Sequence, residues 1–263
     1  MKYDVLIVSI VLAALLVLVT LKKKAFTPAA AITAAVILIV AGICGEYAAI
    51  VGVLSAYGIV FAVDMILGKR TERITGEINK KTGRRDIVQV LANALAAVIA
   101  LVLGYAFSRL EGLVIYYVAL TECLADSLAS DVGVLSKKDP VDICRMKRIK
   151  RGLSGGVSLL GTVSALIGCI AMTLISFIFL GFNLKYFLAI LVVPMIGIVV
   201  DSLLGSLLQS KHQCVKCGKF TEKDMHCGEP TRHCGGVKFI NNDMVNILSN
   251  FASAVIAALF LLL

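Results

Sequence analysis

The 263 residues of this chain are 59% apolar and only 16% charged. A typical soluble domain is about half apolar and about a quarter charged. Apolar runs of roughly 17 to 25 residues recur along the chain, and this is the length that a helix needs to cross a bilayer. The composition therefore excludes a soluble globular protein and predicts an all-α, polytopic transmembrane helix bundle, with residues 1–263 forming a single membrane domain.

About eight spans are predicted. The first apolar run lacks a small-residue cleavage site before the lysines that follow it, so it is expected to be a span and not a removed signal. Longer polar connections at 21–26, 68–86, 131–152 and 209–242 alternate with short ones. The predicted spans are 4–20, 27–44, 47–67, 87–107, 112–130, 153–180, 184–208 and 243–263.

Nearly all of the 26 Lys and Arg residues lie in the four long connections. With eight spans these connections share one side of the membrane. Because Lys and Arg accumulate on the cytoplasmic side, the polar loops are predicted to be cytoplasmic and both termini outside. Part of the net charge of +9 acts as this topology signal and attracts anionic lipid. No nucleic-acid partner is predicted, and no oligomeric state is assigned.

Several carboxylates lie within or at the end of predicted spans, toward the cytoplasmic side. Glu122 and Asp126 are four residues apart and share one helix face. An ionised carboxylate at this depth is costly, so it should face a protein interior or an aqueous cavity. Such acids could pair with a loop Arg, cap a helix, carry ions in a transporter, or hold a divalent cation against phosphates.

The position of these acids favours the last alternative. Transport sites tend to lie near the midplane, whereas these acids lie at the interface beside basic loops. Mg²⁺ prefers one or two carboxylates together with water and phosphate oxygens. A site for Mg²⁺ is therefore predicted from Glu122, Asp126, Asp131 and Asp201.

The loop at 68–86 and the span that follows it carry polar groups suited to a polyphosphate. Arginine makes bidentate contacts with phosphate. Gln89 and Asn93 lie four residues apart in an apolar span, where they either contact a ligand or form hydrogen bonds between helices. The predicted phosphate-binding residues here are Lys69, Lys80, Arg84, Arg85, Gln89 and Asn93.

A Gly- and Ser-rich turn at 152–158 opens the sixth predicted span. Backbone N–H groups at a helix N-terminus can bind phosphate, although a close contact between helices would also explain the glycines. The pattern is not a Walker P-loop. The predicted phosphate-binding residues of this turn and the chain before it are Lys150, Ser154, Gly155, Gly156 and Ser158.

The connection at 209–242 is rich in cysteine and histidine. Its four thiols suit tetrahedral Zn²⁺, and thiols stay reduced in the cytoplasm. Disulfides or an iron–sulfur cluster are the alternatives. Four ligands leave no open position, so a structural role is expected. The predicted zinc ligands are Cys214, Cys217, Cys227 and Cys234, with His226 and His233 as alternative ligands.

Three stretches together resemble the phytyl-phosphate kinase family of integral membrane proteins, whose eukaryotic relatives include transmembrane protein nineteen. They are NKKTGRRDIVQVLANA, LADSLASDVGVLSKKDP followed by GLSGGVSLLG, and VVDSLLGSLLQ followed by INNDMVN. The resemblance covers most of the chain beyond the first span. The family's Asp-Thr-Trp-Ala-Ser-Glu pattern is Asp-Ser-Leu-Ala-Ser-Asp here, and the chain has no Trp.

The resemblance implies a kinase that converts an isoprenoid monophosphate, such as phytyl or geranylgeranyl phosphate, to the diphosphate, with CTP as the donor suggested by the related phytol and dolichol kinases. The residues that the resemblance carries over by motif are Gly83, Arg84, Arg85, Gln89 and Asn93 in the first stretch, Asp126, Ser130, Gly155 and Gly156 in the second, and Asp201, Ser202, Asn242 and Asn246 in the third. The catalytic residues are predicted to be Asp126, Asp201, Arg84 and Arg85, with Asn242 and Asn246 binding nucleotide or phosphate. A transporter for an ion or anionic metabolite and a lipid nucleotidyltransferase are the alternative functions.

Overall fold

A computed structural model describes residues 3–78 and 83–263. Seven of its helices are long and apolar enough to cross a membrane. Two short β-structures lie between the later helices. The helices are α1 (Tyr3–Lys22), α2 (Pro28–Thr75), α3 (Ile87–Ala106), α4 (Arg109–Gly133), α5 (Leu159–Leu180), α6 (Leu184–Leu207) and α7 (Asn242–Leu262). The strands are β1 (Val141–Asp142), β2 (Gly156–Val157), β3 (Lys211–Cys214), β4 (Phe220–Thr221), β5 (Met225–His226) and β6 (Glu229–Gly235).

Helix α2 reverses direction at Glu46, whose backbone leaves the helical region at φ 54° and ψ −148°. A straight helix of 48 residues would be about 72 Å long, more than twice the hydrocarbon thickness of a bilayer. The start of the first arm and the second arm instead lie close together, since both contact Arg85. The backbone oxygen of Arg85 accepts a hydrogen bond from Thr27 N–H, and its guanidinium donates to the carboxylate of Asp64. The arms correspond to the second and third predicted spans, so the predicted helix bundle is confirmed.

Helix α4 lies at the centre of the bundle. Tyr116 and Tyr117 are buried, and their hydroxyls donate to the backbone oxygens of Ala49 and Ala48 in α2 at 2.7 and 2.8 Å. A Cβ on Gly112 would lie 2.2 Å from the Cα of Gly104 in α3. Small residues allow such close approach between membrane helices, where packing takes the place of a hydrophobic driving force.

The long connections meet at one end of the bundle. Strands β1 and β2 form a hairpin, and the other four form a sheet in the order β4-β3-β6-β5. This sheet packs on the chain that follows α2, where Thr221 Oγ1 donates to the backbone oxygen of Ile78 and Lys219 pairs with Glu77. The cysteine-rich connection, predicted only as a polar loop, is therefore an ordered small sheet.

The second arm of α2 continues to Thr75, well beyond its predicted end at residue 67. The ends of two later helices also differ from the predicted spans. Helix α5 begins at Leu159 and not at residue 153, because the preceding residues pair with β1 and Gly155 adopts a positive φ of 84°. Helix α4 continues to Gly133, so that Asp131 is helical. Apolar continuity alone does not reveal either end.

Candidate functional site

A cavity of about 1410 Å³ opens at the end of the bundle that carries the long connections. Its wall is polar near the connections and apolar deeper in the bundle. The polar part includes Asp64, Lys69, Arg85, Gln89, Asn93, Asp126, Asp131, Asp201, Asn242 and Asn246. The apolar part includes Leu12, Leu15, Leu16, Ile37, Leu38, Val53, Leu54 and Phe61. The cavity therefore suits a ligand with an anionic head and an apolar body.

Three of the predicted acids line this cavity. Asp126 and Asp131 come from α4, and Asp201 comes from α6, where its Oδ2 accepts a hydrogen bond from Ser249 Oγ at 3.3 Å. Within the described residues they do not form a preassembled cage of three close ligands. One or two carboxylates facing a polar cavity nevertheless fit the way Mg²⁺ is bound through water and substrate phosphate.

Glu122 lies apart from these three acids. Its side chain is 2% exposed, and it is absent from the cavity wall. Its Oε2 accepts a hydrogen bond from Asn250 Nδ2 at 2.6 Å. One helical turn thus separates an acid that faces the cavity from one enclosed by the bundle.

The predicted phosphate-binding cations are spread over different surroundings. Arg85 lines the cavity and pairs with Asp64 at 3.1 Å, which leaves other guanidinium donors for a ligand. Lys69 is exposed at the cavity wall. Arg84 and Lys150 are exposed and lie outside that wall. Lys80 lies outside the described residues.

The predicted amides belong to the cavity wall and also hold helices together. Gln89 forms a capping box with Asp86 at the start of α3. Asn246 Nδ2 donates to Asn93 Oδ1 at 3.3 Å and so links α7 to α3. Asn242 lines the same wall at the start of α7. This arrangement allows both predicted roles of these amides, which are contact with a ligand and hydrogen bonding between helices.

The Gly- and Ser-rich turn lines the cavity, and its side chains also have structural partners. Ser154 Oγ donates to Gln209 Oε1 at 2.6 Å, and Ser158 caps α5. A Cβ on Gly155 would lie 2.6 Å from Ser206 Cβ, so this glycine permits close packing. Gly156 lies in β2, on the same part of the wall.

The cysteine-rich sheet brings together one group of possible metal ligands, namely Cys214, Cys217, His226 and Cys227, whose ligand atoms lie within 4.8 Å of one another. Cys234 is not part of this group, because it lies on β6 with its thiol directed at the backbone oxygen of Lys211. His233 is likewise outside it. The group therefore contains three of the predicted cysteines and His226, which was predicted as an alternative ligand, but not Cys234.

The surroundings of this group favour a thiolate. A hydrogen bond from the backbone N–H of Cys217, assisted by contact with His226 and opposed by burial, lowers the pKa of Cys214 to about 6. Thiolate sulfur and imidazole nitrogen are the ligands that structural Zn²⁺ prefers. The donor set therefore fits a metal ion of this class.

Sequence reasoning missed a polar stripe on α7. Ser249, Asn250 and Ser253 continue the face that begins at Asn246, and all three are buried. Their spacing of three to four residues was the available signal, because such positions share one helix face. It also missed Asp142, which is buried beyond the cavity and accepts a hydrogen bond from Ser206 Oγ at 2.8 Å.

The family described as integral membrane protein DUF92 matches residues 11–254. The chain is 28% identical to Protein PGR of Arabidopsis thaliana over 65% of its own length and 67% of that protein. It is 26% identical to the uncharacterized membrane protein MJ0933 of Methanocaldococcus jannaschii over 56% of the chain and 62% of the relative. It is 27% identical to the uncharacterized membrane protein sll0875 of Synechocystis over 60% of the chain and 63% of the relative. No solved structure gives a significant match. The chain belongs to the DUF92 family of integral membrane proteins.

Proposed function

We propose that this DUF92 membrane protein is a kinase that transfers a phosphoryl group from a nucleoside triphosphate to an isoprenoid monophosphate and releases the lipid diphosphate. One observation carries the proposal: a single cavity joins a wall of acids, cations and amides to an apolar wall within the bundle. Both substrates are anionic at their reacting ends, and only the acceptor has a long apolar tail.

The head of the acceptor and the donor phosphates would occupy the polar part. Arg85 and Lys69 would neutralise phosphate charge, and Asn93 with Asn246 would donate hydrogen bonds. Asp126 and Asp201, helped by Asp131, would hold Mg²⁺, which reduces the negative charge of the donor phosphates when bound. An acceptor phosphate oxygen attacks the terminal phosphorus, and the bond to the leaving nucleoside diphosphate breaks.

Such a transfer requires positioning and charge stabilisation more than a strong base. The acceptor oxygen is already anionic, so no side chain has to remove a proton from a hydroxyl group. The cations and amides of the wall would therefore contribute more to the rate than any single acid acting as a base.

The apolar part would hold the isoprenoid tail. Along the second arm of α2, eleven residues separate Asp64 from Val53, a rise of about 16 Å. Leu12 and Leu15 of α1 also belong to the apolar part of the wall. Burial of the tail would supply about 0.8 kcal/mol for each methylene group removed from water.

Other observations support the choice of donor and the orientation in the membrane. The resemblance to CTP-dependent lipid kinases favours CTP over ATP. The excess of Lys and Arg in the long connections favours a cytoplasmic position for the cavity mouth, with both chain termini outside. A cytoplasmic site would also give direct access to nucleotide.

We further propose that the cysteine-rich sheet binds one structural Zn²⁺ through Cys214, Cys217, His226 and Cys227. The sheet is too small to bury a core of its own, so a metal would stabilise its fold. This sheet contacts the cavity wall through Gln209, which accepts from Ser154 and donates to Glu222 at 2.6 Å.

Two other functions make different predictions. A transporter of ions or anionic metabolites would not require the long apolar wall and should not be stabilised by CTP with Mg²⁺. A lipid nucleotidyltransferase would bind the same ligands but release pyrophosphate in place of CDP. Thermal stabilisation in detergent and product analysis distinguish these three cases.

The decisive experiment is transfer of label by purified protein from γ-labelled CTP or ATP to phytyl or geranylgeranyl phosphate in the presence of Mg²⁺. Wild type is compared with Asp126→Asn and with Asp4→Asn, the same substitution at the opposite end of the bundle. We expect labelled lipid diphosphate from wild type and Asp4→Asn, and at least a hundredfold less from Asp126→Asn. Absence of transfer by folded wild type would overturn the proposal.

A further inference from the structure

A group of buried oxygen atoms lies inside the bundle, beyond the cavity wall, between α4, α6 and α7. Glu122, Asn250 and Ser253 are at most 2% exposed. Among the described residues, Glu122 Oε1, Asn250 Oδ1 and Ser253 Oγ are buried atoms without a hydrogen-bond partner. Buried polar atoms in native proteins are nearly always paired, so three in one place indicate a ligand.

The side chains that carry these oxygens meet where the three helices pack together. Asn250 Nδ2 donates to both Ala119 O, at 2.8 Å, and Glu122 Oε2, at 2.6 Å, which fixes the orientation of its amide. Ser253 lies three residues further along α7, on the same face. At Gly197, helix α6 comes so close that an added Cβ would lie 2.0 Å from Ser253 Oγ and 3.4 Å from Glu122 Oε1.

The chemistry of the three atoms is that of hard oxygen ligands for a cation. A carboxylate and an amide oxygen only accept hydrogen bonds, and neither can satisfy the other. The Lys and Arg ion pairs of the described residues involve other acids. An ionised carboxylate at this depth is costly, and a compensating positive charge would stabilise it.

We propose that Glu122, Asn250 and Ser253 form a binding site for one small monovalent cation, with Na⁺ as the ion that fits best. One carboxylate balances one positive charge, whereas Mg²⁺ retains several waters and needs a roomier site. The close approach of α6 at Gly197 favours Na⁺ over the larger K⁺. This site is distinct from the acids of the cavity and does not depend on the kinase proposal.

The site is connected to the cavity through α7. Ser249 precedes Asn250 and donates to Asp201, one of the acids in the cavity wall. A bound cation would therefore offset the repulsion among Glu122, Asp126 and Asp201. We expect its main effect to be on the stability of the α4–α6–α7 core.

The test is thermal unfolding of purified protein in detergent with EDTA and no nucleotide or lipid phosphate. Ionic strength is held constant while choline chloride is replaced by NaCl or KCl. We expect the wild-type midpoint to rise by a few degrees with the logarithm of Na⁺ concentration above a threshold, and to rise much less with K⁺. Glu122→Gln should abolish the dependence, and Ser253→Ala should shift it to at least tenfold higher Na⁺.

Glu111→Gln, the same substitution at a half-buried residue in the first turn of α4, is the matched control and should retain the wild-type response. If Glu122→Gln does not fold, Ser253→Ala still decides the question, because it removes a neutral ligand. Equal midpoints of wild type in Na⁺ and choline would overturn the cation site and indicate a protonated carboxyl or a bound water. An equal Na⁺ response in Ser253→Ala and wild type would also overturn it.

Discussion

Gly58 offers a direct test of the apolar part of the cavity. It lies on the second arm of α2, lines the cavity, and an added Cβ would meet no atom within 4 Å. Gly58→Phe should therefore fill the apolar part without disturbing neighbouring helices. Replacing glycine within a helix also removes a cost of about 0.5–1 kcal/mol, so the thermal midpoint should not fall.

The expected loss is in acceptor binding. If the new ring displaces three methylene-sized groups of the tail, about 2.4 kcal/mol of burial is lost, which corresponds to roughly a sixtyfold decrease in kcat/KM for geranylgeranyl phosphate. Geranyl phosphate has two fewer isoprene units and should be affected much less. The assay is steady-state transfer with both acceptors, with nucleotide held at saturation.

Ala62→Phe provides the matched control, since Ala62 is exposed one turn away and outside the cavity wall. It should behave as wild type with both acceptors. An equal loss for the long and the short acceptor in Gly58→Phe would refute the assignment of this wall to the tail. The same loss in Ala62→Phe would indicate a general effect of bulk on α2.

Three further predictions concern the connections at the same end of the bundle. Cys217→Ser should lose the metal of purified protein, as measured by elemental analysis, whereas Cys234→Ser should retain it. Gly155→Ala should lower the thermal midpoint, because a positive φ costs about 1–2 kcal/mol and the Cβ would overlap Ser206 of α6. Gly83→Ala, at a similar positive φ of 89° but with open space around the Cβ, should show only the smaller effect of backbone strain. Burial alone would raise the pKa of Asp142, but hydrogen bonds to its carboxylate hold the pKa below its ordinary value. The ionised carboxylate therefore stabilises the fold above about pH 4, and this stabilisation is lost as the pH falls through the pKa of the folded state. Asp142→Asn should remove this dependence in unfolding measured across acidic pH.

The membrane architecture could be predicted because apolar length is a strong signal. The reversal at Glu46 was expected from the short polar interruption, although the structure continues the helix on both sides of a single residue. The ordered sheet in the cysteine-rich connection was not predicted. Its strands are two to seven residues long, and alternation over so few positions is hard to distinguish from a loop.

Within the candidate site, the sequence identified the acids but not their separation. Glu122 and Asp126 share a helix face by spacing, yet only the packing of α7 decides that Asn250 encloses the first while the second faces the cavity. The possible metal ligands of the cysteine-rich sheet show the same limit. Which of Cys234 and His226 joins the group depends on strand register, and register is not visible in the spacing of cysteines alone.

The contact between Arg85 and Asp64 has a consequence for how the chain enters the membrane. The two residues are 21 positions apart, and the arginine follows the acid in synthesis. Until the arginine emerges, the Asp64 carboxylate in the second arm of α2 lacks this counter-charge, and the backbone of residues 25–27 lacks its bridging partner. The first two reversals of the chain are therefore completed by a residue made after both, so insertion of the N-terminal third should proceed as one cooperative unit and not span by span.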